Sequence, residues 1–366
     1  MSSISRADLV WVGLDVHKDA IHVGLIRAGS DAVESSVVFN DETAIRKAFE
    51  RSMGPRTKLR VCYEAGPTGF GLARQLQAMG ISCGVAAPSL IPKASGDRVK
   101  TDKRDARQLA RLHRAGVLVM IRIPTPLEEA VRDLCRARAD MVEDLTRARN
   151  RLGKFLLRHS VIWRGGSTWT LEHRRWLETR RFDDVALQLT YSHYRAVLAS
   201  REAALDATSA DLAQFYDRAP FADTVLRLAC YRGVDRLGAL TIASEVCDFR
   251  RFSRAEQFCG FTGLVPGEHS SGKSRHQRPL TKSGNAHLRT QLVESAWAYQ
   301  HQPAIGATLR RRHDAAPPET IARAWAAQLR LCGRFRHLAS RKNVRSVVTA
   351  AVARELAGFL WAEMTS

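Results

Sequence analysis

The chain has little of what marks several common protein classes. Its seven cysteines show neither a CxxC pair nor Cys/His spacing, which argues against a structural zinc site. Most of them lie among apolar neighbours, as small core residues in a reducing compartment do. No apolar run reaches the roughly 18 residues of a membrane span, and the opening Met-Ser-Ser-Ile-Ser-Arg contains no apolar signal region. These absences predict a cytoplasmic protein without a membrane anchor.

Acidic residues are scarce relative to basic ones. The 366 residues include 57 Lys and Arg against 37 Asp and Glu, which leaves a net charge of +20. Such a surplus favours polyanionic partners through counterion release, so nucleic acid is the expected ligand. Residues 250–366 hold 19 basic and 7 acidic side chains, whereas residues 116–249 hold 20 and 18. The last third is therefore the strongest candidate for contact with nucleic acid.

The first 118 residues alternate strand-like and helix-like stretches. Short apolar runs predict five strands, at Val10–Val16, His22–Ile26, Ser35–Phe39, Leu59–Tyr63 and Ile81–Val85. Helices are predicted after Asn40, over Gly69–Met79 and over Thr101–Arg114. Three strands followed by alternating helix and strand predict a mixed α/β sheet covered by helices.

The rest of the chain reads as mainly helical. Apolar residues recur at helical spacing over 124–160, which predicts a long amphipathic helix in a connector spanning 119–222. This helix either forms a coiled coil with residues near 184–217 or belongs to an ordinary helical linker. Residues 223–366 form the predicted C-terminal domain, in which 260–284 is rich in Gly, Ser, Lys and Arg, as a functional loop would be. The expected fold is thus α/β plus all-α.

Three tryptophans lie close together in the predicted connector. Aromatic residues make up only 7% of the chain, yet Trp163, Trp169 and Trp176 fall within 14 positions. Exposed aromatic rings can stack on unpaired bases, and buried ones pack in a core. Core packing is the commoner use and is the expectation for this cluster.

Four acidic residues are placed as a metal site requires. Asp15 ends the first predicted strand, Glu64 ends the fourth, and Asp102 and Asp105 lie three apart on one face of a helix. If the first and fourth strands are neighbours, a helix packed across their ends would bring all four together. Two Mg²⁺ ions roughly 3.5–4 Å apart would relieve the mutual repulsion and clamp a reacting phosphate. The alternative, a solvated basic helix with local ion pairs, accounts only for the helical pair.

A second candidate region follows Cys259. It contains Gly-Leu-Val-Pro, then Ser270-Ser271-Gly272, then Thr-Lys-Ser-Gly-Asn. A serine beside a glycine can approach a phosphate closely and attack it if a base removes its proton, although most such segments are turns. Residues that would bind phosphates surround it: Lys273, Arg275, Arg278, Lys282, Asn285 and Arg289.

Both regions resemble a known family. The segments Val-Gly-Leu-Asp15-Val-His-Lys, Tyr-Glu64-Ala-Gly-Pro and Lys-Thr-Asp102-Lys-Arg-Asp105 resemble the DEDD motif of bacterial insertion-sequence transposases of the one-ten/eleven-eleven group. That group is related to the Piv DNA invertase. The serine segment resembles its C-terminal transposase domain. The resemblance implies an N-terminal domain similar to the RuvC resolvase, with an RNase H-like fold.

The resemblance implies a reaction and its partners. Ser271 would be the nucleophile and form a phosphoserine link to DNA, with Ser270 as the alternative. Mg²⁺, or Mn²⁺ in its place, would bind the four acids. Double-stranded DNA of the element ends and target, a non-coding bridge RNA as guide, and a tetramer built from dimers at the bacterial nucleoid are also implied. The chain departs from the group at Gly233-Val-Asp235, where Pro-Gly-Ile-Gly is usual and Asp235 adds a charge that opposes phosphate contact.

Other functions would use part of the pattern. A RuvC-like nuclease or resolvase would use the four acids alone, with Ser271 structural, and a site-specific invertase would differ only in its DNA substrates. A non-enzymatic nucleic-acid-binding protein would explain the charge of +20 but not four acids that oppose polyanion binding. The expected function is therefore DNA strand cleavage and rejoining by a transposase or recombinase.

Overall fold

The fold is described from a computed structural model, which covers residues 9–52, 58–92, 101–271, 274–341 and 344–366. At residue 52 and within 268–278 the description is limited to the backbone. Backbone contacts divide the chain into two compact units, Met1–Thr125 and Pro126–Ser366. Residues 119–125 of the predicted connector fall in the first unit, and the rest of it lies with the predicted C-terminal domain in the second unit. The boundary predicted at 222/223 stays a prediction.

The first unit is built on a six-stranded mixed sheet in the order β3-β2-β1-β4-β5-β6. Its strands are β1 Leu9–Val16, β2 Ala20–Arg27, β3 Glu34–Phe39, β4 Lys58–Glu64, β5 Ser82–Ala86 and β6 Met120–Ile121. The first three strands are antiparallel neighbours, and β4 and β5 are parallel to β1. The predicted mixed α/β sheet is confirmed, and its first and fourth strands are neighbours, which is the condition for the proposed metal site.

Helices cover both faces of this sheet. They are α1 Glu42–Ser52, α2 Gly71–Ala78 and α3 Asp102–Arg114. Side chains of α1 and α2 share one core with Leu14 and Tyr63, which are fully buried. The opposite face receives α3, whose Ala110 packs with Ile26 of β2. Because side chains alternate along a strand, the residues next to Leu14 and Tyr63 face α3.

The second unit is mainly helical. Its helices are α4 Pro126–Arg158, α5 Leu171–Glu178, α6 Val185–Ala213, α7 Ala222–Leu228, α8 Arg236–Val246, α9 Ala255–Thr262, α10 Ala286–Ala296, α11 Ala307–His313, α12 Pro318–Ala339 and α13 Arg345–Thr365. The long helix expected over 124–160 is α4, and it packs on α6 through Leu152, Phe155 and Tyr191. The partner helix is the one expected near 184–217, and a coiled-coil geometry for the pair stays a prediction.

The segment expected as a loop at 267–284 contains a β-hairpin instead. Strands β7 Pro266–Ser271 and β8 Ser274–Leu280 pair antiparallel, with Ser271 opposite Ser274. Only residues 272–273 separate the strands, a length that suits a tight hairpin connection, and pairing satisfies backbone groups that a loop would leave to water. The expectation of a loop was wrong, because a high content of glycine and charge is compatible with two short paired strands.

The structure explains two sequence features of this unit, the segment Gly233–Asp235 and the cysteines. Gly233 has a φ of +83°, and a Cβ there would lie 2.1 Å from the Ser295 carbonyl oxygen, so the position requires glycine. The Asp235 carboxylate caps α8 by accepting the Gly238 N–H at 2.7 Å. The cysteines are all free, and all but Cys247 are buried, which confirms their expected role as core residues.

Candidate active site

Asp15 and Glu64 lie side by side near the ends of adjacent parallel strands. Leu14 of β1 aligns with Tyr63 of β4, so the two carboxylates occupy the next aligned positions. Asp15 is partly exposed and Glu64 is exposed. Both therefore project from the face of the sheet that carries α3, away from the buried core.

Two glycines allow α3 to lie directly on the strands. Gly13 of β1 pairs with Gly24 of β2. A Cβ on Gly13 would lie 2.3 Å from the Ala110 nitrogen, and one on Gly24 would lie 2.7 Å from the Ala106 oxygen. Since contacts this short do not occur, only glycine permits the observed approach of helix backbone to sheet. The first turn of α3 is thereby held beside the β1–β2 hairpin.

This packing places Asp102 near Asp15, with two histidines beside them. His17 Nε2 lies 3.2 Å from Asp15 Oδ2 and 3.5 Å from Asp102 Oδ1. His22 Nε2 lies 3.5 Å from the other Asp102 oxygen. Thr101 caps the helix by accepting the Arg104 N–H at 3.4 Å, which sets where α3 begins. The result is an acidic and imidazole cluster at the edge of the sheet.

Sequence reasoning missed both histidines. His22 is the cross-strand partner of Asp15, a relation that requires the hairpin register. His17 follows Asp15 by two residues, so strand alternation alone could have placed it on the same face. The turn that carries it is fixed by Asn40, whose side-chain amide donates to the His17 carbonyl at 2.7 Å.

Glu64 and Asp105 are not part of the tightest group of candidate ligands. Among the residues with described side chains, Asp15, His17 and Asp102 each offer a ligand atom within 4.8 Å of the others. Glu64 is placed beside Asp15 by register, and Asp105 lies in the first turn of α3, half-buried. The structure thus brings two of the four predicted acids, Asp15 and Asp102, to one point. Metal binding by Glu64 and Asp105 stays a prediction.

The donor set fits a divalent cation. Carboxylate oxygens suit Mg²⁺ and Mn²⁺, whereas an imidazole ligand suits transition metals. Asp15 and Asp102 retain substantial side-chain exposure, 23% and 51%, so a phosphate could reach an ion bound between them. A bound ion would stabilise negative charge on a reacting phosphate, and the side chains themselves would hold and orient it.

A buried carboxylate, Glu245 of α8, joins α4 to the start of α10, the helix that follows the serine hairpin in the chain. Asn285 caps α10 by accepting the Leu288 N–H at 2.9 Å, as expected, and its amide donates to Glu245 at 2.6 Å. Arg136 donates twice to the same carboxylate, at 2.7 and 2.9 Å. Burial opposes ionisation of Glu245, but the hydrogen bonds from Arg136 and Asn285 outweigh it and lower the pKa of the carboxyl group.

Of the predicted phosphate-binding residues, some have described side chains and others do not. Arg289 donates to the carbonyls of Thr262 and Lys282 at 3.1 and 3.2 Å, which ties α10 to the base of the hairpin. Lys282 is exposed, with a φ of +53°. Lys273 and the side chains of Ser270, Ser271, Arg275 and Arg278 lie outside the described part of the structure. Their proposed contacts stay predictions.

Comparison with known proteins identifies the family. A DEDD transposase model of the IS110 group matches residues 12–160, which include the four acids. A model described as "Transposase IS116/IS110/IS902 family" matches residues 226–310, which include the serine hairpin. The transposase-named protein y4qE of Sinorhizobium fredii is 40% identical over 96% of this chain and 87% of its own length. The chain belongs to the IS110/IS116 transposase family.

Other relatives agree with this assignment. The transposase of insertion sequence element IS1533 from Leptospira borgpetersenii is 32% identical, over 91% of this chain and 98% of that protein. The chain is an insertion-sequence transposase, and membership of the family implies DNA binding, DNA cleavage and strand transfer. Such DEDD enzymes usually use divalent metal ions. Within the described residues, no helix combines the length and apolarity needed to cross a membrane.

Proposed function

We propose that this transposase cleaves and rejoins DNA with a metal-binding acidic site and a serine nucleophile. Asp15, Glu64, Asp102 and Asp105 would bind Mg²⁺, two ions per site, with Mn²⁺ able to substitute. The observation that carries the acidic half is the convergence of Asp15 and Asp102 on His17, with Oδ–Nε2 distances of 3.2 and 3.5 Å. Carboxylates from a strand end and a helix start meet at one point only because the fold brings them there.

The serine half of the proposal has a balanced chemistry. The Ser271 hydroxyl would lose its proton to a base and form an O–P bond with the scissile phosphate. The bond from phosphorus to the leaving strand's oxygen would break, and that oxygen would take up a proton. Because a phosphodiester replaces a phosphodiester, the reverse attack by a strand hydroxyl would rejoin DNA without an external energy source.

Two observations support Ser271 for this role. It lies in the segment that matches the family's second model, at the tip of a hairpin whose strands are joined by residues 272–273. The hairpin belongs to the most basic third of the chain, with 19 basic and 7 acidic residues over 250–366. Cations at that density would hold DNA phosphates around the hydroxyl.

The serine is tested by trapping a covalent protein–DNA adduct on DNA that carries the element ends. Ser271→Ala is expected to abolish the adduct and to leave DNA binding within a few-fold, because a hydroxyl adds little to binding beside so many cations. Ser283→Ala is the matched control, since Ser283 also precedes a glycine and is exposed. An adduct that persists in Ser271→Ala and disappears in Ser270→Ala would move the nucleophile by one residue.

A second candidate function uses the acids alone. The RuvC-like resolvase reaction needs carboxylates and divalent ions but no serine, and the cluster around His17 favours it as directly as it favours transposition by serine attack. A site-specific invertase would share the chemistry and differ in its DNA substrates. If no variant of Ser270 or Ser271 affects strand transfer while the acid variants abolish it, the acid-only reaction is correct.

We further propose that a structured non-coding RNA guides the enzyme and that it acts as a tetramer built from dimers on DNA of the bacterial nucleoid. The basic surplus of +20 supports two polyanionic partners. RNase treatment of the purified complex is expected to abolish strand transfer, and added element RNA is expected to restore it. Strand transfer that is unchanged after complete RNA removal would refute RNA guidance but not the acidic site.

A further inference from the structure

An aromatic cavity lies in the helical unit, away from the serine hairpin. It is enclosed by the C-terminal part of α4, the loop that follows it and α5, and its volume is about 320 Å³. Small-molecule sites typically range over about 300–1,000 Å³, so this cavity suits a single planar group. Its aromatic and basic lining residues are Trp163, Trp169, Trp176, His173, Arg149 and Lys154.

The walls of this cavity are held in place by specific contacts. His173 Nδ1 accepts the Trp169 N–H at 3.0 Å, and its ring stacks on Trp176 with centroids 5.6 Å apart. Trp169 has a φ of +67°, a strained conformation for a large side chain that the surrounding contacts must maintain. A Cβ on Gly165 would lie 2.3 Å from the Trp163 ring, so any larger residue there would displace that ring.

The tryptophans are not fully covered, unlike rings in a core. The buried core of this region includes Phe155, Leu177 and Tyr191, whereas all three tryptophans of the cavity are partly exposed. Leu157 and Ile162, which also line the cavity, are 53% and 48% exposed. The expectation of core packing therefore accounts for part of the surface of these rings and leaves the exposed part unexplained.

The charge around the cavity is strongly positive. Residues 145–181 contain ten Lys and Arg and two Asp and Glu. Arg149 lies over the Trp169 ring at 5.1 Å, where Glu202 holds its guanidinium at 3.0 Å. Lys154 is exposed, with no described acid paired to it. Aromatic boxes often bind cations, but this rim would repel one and favours a flat group linked to an anion.

One wall also contains an imidazole that can donate a hydrogen bond. Burial, together with the charge of Arg174, lowers the pKa of His173, so the ring is neutral near pH 7. Since Nδ1 accepts the Trp169 N–H, the ring proton lies on Nε2. A carbonyl oxygen or ring nitrogen of a base could accept it.

We propose that this cavity binds an unpaired nucleobase of a single-stranded nucleic acid, with the tryptophan rings stacking on the base and Lys154 contacting a flanking phosphate. The residues that line the site include none of the four acids and none of the serine hairpin. Its loop lies in residues 161–225, between the two segments that match the family models. It would anchor a strand outside the paired regions, during or between cleavage steps.

The test measures whether the loss of binding affinity on removing the bases depends on the tryptophans of the cavity. The full-length protein is titrated with single-stranded DNA and with an abasic strand of equal length and charge. Stacking of one base predicts that the wild type binds the abasic strand about 5- to 100-fold more weakly. In Trp163→Leu and in Trp176→Leu this ratio is expected to fall toward one, because the partner of the base has been removed.

Trp325→Leu is the matched control, because Trp325 is 36% exposed on α12, outside the cavity. Its ratio is expected to equal that of the wild type, and melting curves verify that all variants fold. An unchanged ratio in both Trp163→Leu and Trp176→Leu would overturn the proposal. Repeating the titration with RNA of the same base composition shows which strand the site prefers, since the larger ratio marks the better ligand.

Discussion

At the scale of single residues, the acidic site combines carboxylates with imidazoles. His17 lies between Asp15 and Asp102, and His22 approaches Asp102 from the second strand. An imidazole beside two carboxylates can donate to them when no ion is bound and coordinate when one is. The histidines therefore bear on which ion the site retains as well as on how the carboxylates are oriented.

His17→Ala is expected to weaken Mn²⁺ binding about 10- to 100-fold, the usual effect of removing a group that ligates or orients a ligand. Binding of Mn²⁺ to the full-length protein by electron paramagnetic resonance measures the change. His193→Ala is the control, since His193 is an exposed histidine on α6 in the other unit. Equal Mn²⁺ affinity in His17→Ala and wild type would remove His17 from the site.

What the sequence alone could predict at this scale follows from local geometry. Asp15 and Glu64 were recognised because each ends an apolar strand, and Asp102 and Asp105 because a spacing of three shares a helix face. His22 could not be recognised, because its closeness to Asp15 depends on pairing between strands. The positions of the serine-region side chains stay predictions.

At the scale of elements, the seat of α3 on the sheet positions the acidic site. The pair Gly13 and Gly24 leaves a gap that Ala106 and Ala110 fill with backbone contacts. A side chain at either glycine would push the first turn of α3 away from the hairpin. Asp102 would then move away from His17 and His22.

Gly24→Ala is expected to destabilise the protein by about 1–3 kcal/mol, as overpacking does, and to weaken Mn²⁺ binding at the same time. Chemical denaturation and the Mn²⁺ titration measure the two effects. Gly71→Ala is the control, because a Cβ at this start of α2 meets nothing within 4 Å. A Gly24→Ala protein with wild-type stability and wild-type Mn²⁺ affinity would contradict this account of how α3 is seated.

A buried carboxylate joins three helices of the second unit. Glu363 of α13 is fully buried and accepts hydrogen bonds from Arg323 at 2.6 Å, Thr320 at 2.8 Å and Arg227 at 2.9 Å. Tyr231 donates to it at 3.1 Å. Burial alone would raise the pKa of Glu363, but these hydrogen bonds and the Arg227 charge lower it to about 2.

Glu363 therefore predicts a loss of stability in acid. Because the folded-state pKa of Glu363 is below its usual value of 4.5, its contribution is complete above that pH and is lost as the pH falls toward about 2. The contribution is on the order of 3 kcal/mol. Denaturation from pH 6 to 2.5 is expected to show this extra loss in wild type and not in Glu363→Gln. Parallel pH profiles for the two proteins would contradict it.

Most elements could be predicted from periodicity, and those that could not have identifiable reasons. The five predicted strands correspond to β1–β5 within about two residues at each end, as expected of such boundaries. The two-residue strand β6 and the seven-residue helix α11 are too short to show a period. The hairpin β7–β8 lies in a polar segment without alternating apolar residues, so its pairing was not apparent.

At the scale of the whole molecule, the family assignment and the charge give a consistent picture. The two family matches cover residues 12–160 and 226–310, and the surplus of +20 suits a protein that handles nucleic acid. The acids belong to the first unit and the serine hairpin to the second. A chemistry that uses both groups thus draws on both units of the transposase.

Transposition in bacterial cells that carry the complete element tests the central claim, that strand transfer depends on ions held by Asp15 and Asp102. Asp102→Asn and Asp15→Asn are each expected to lower its frequency on the order of 100-fold or more, with unchanged protein level and melting temperature. Asp19→Asn, which alters an exposed carboxylate four residues after Asp15, is expected to retain the wild-type frequency. Wild-type transposition by Asp102→Asn would show that this carboxylate holds no catalytic ion.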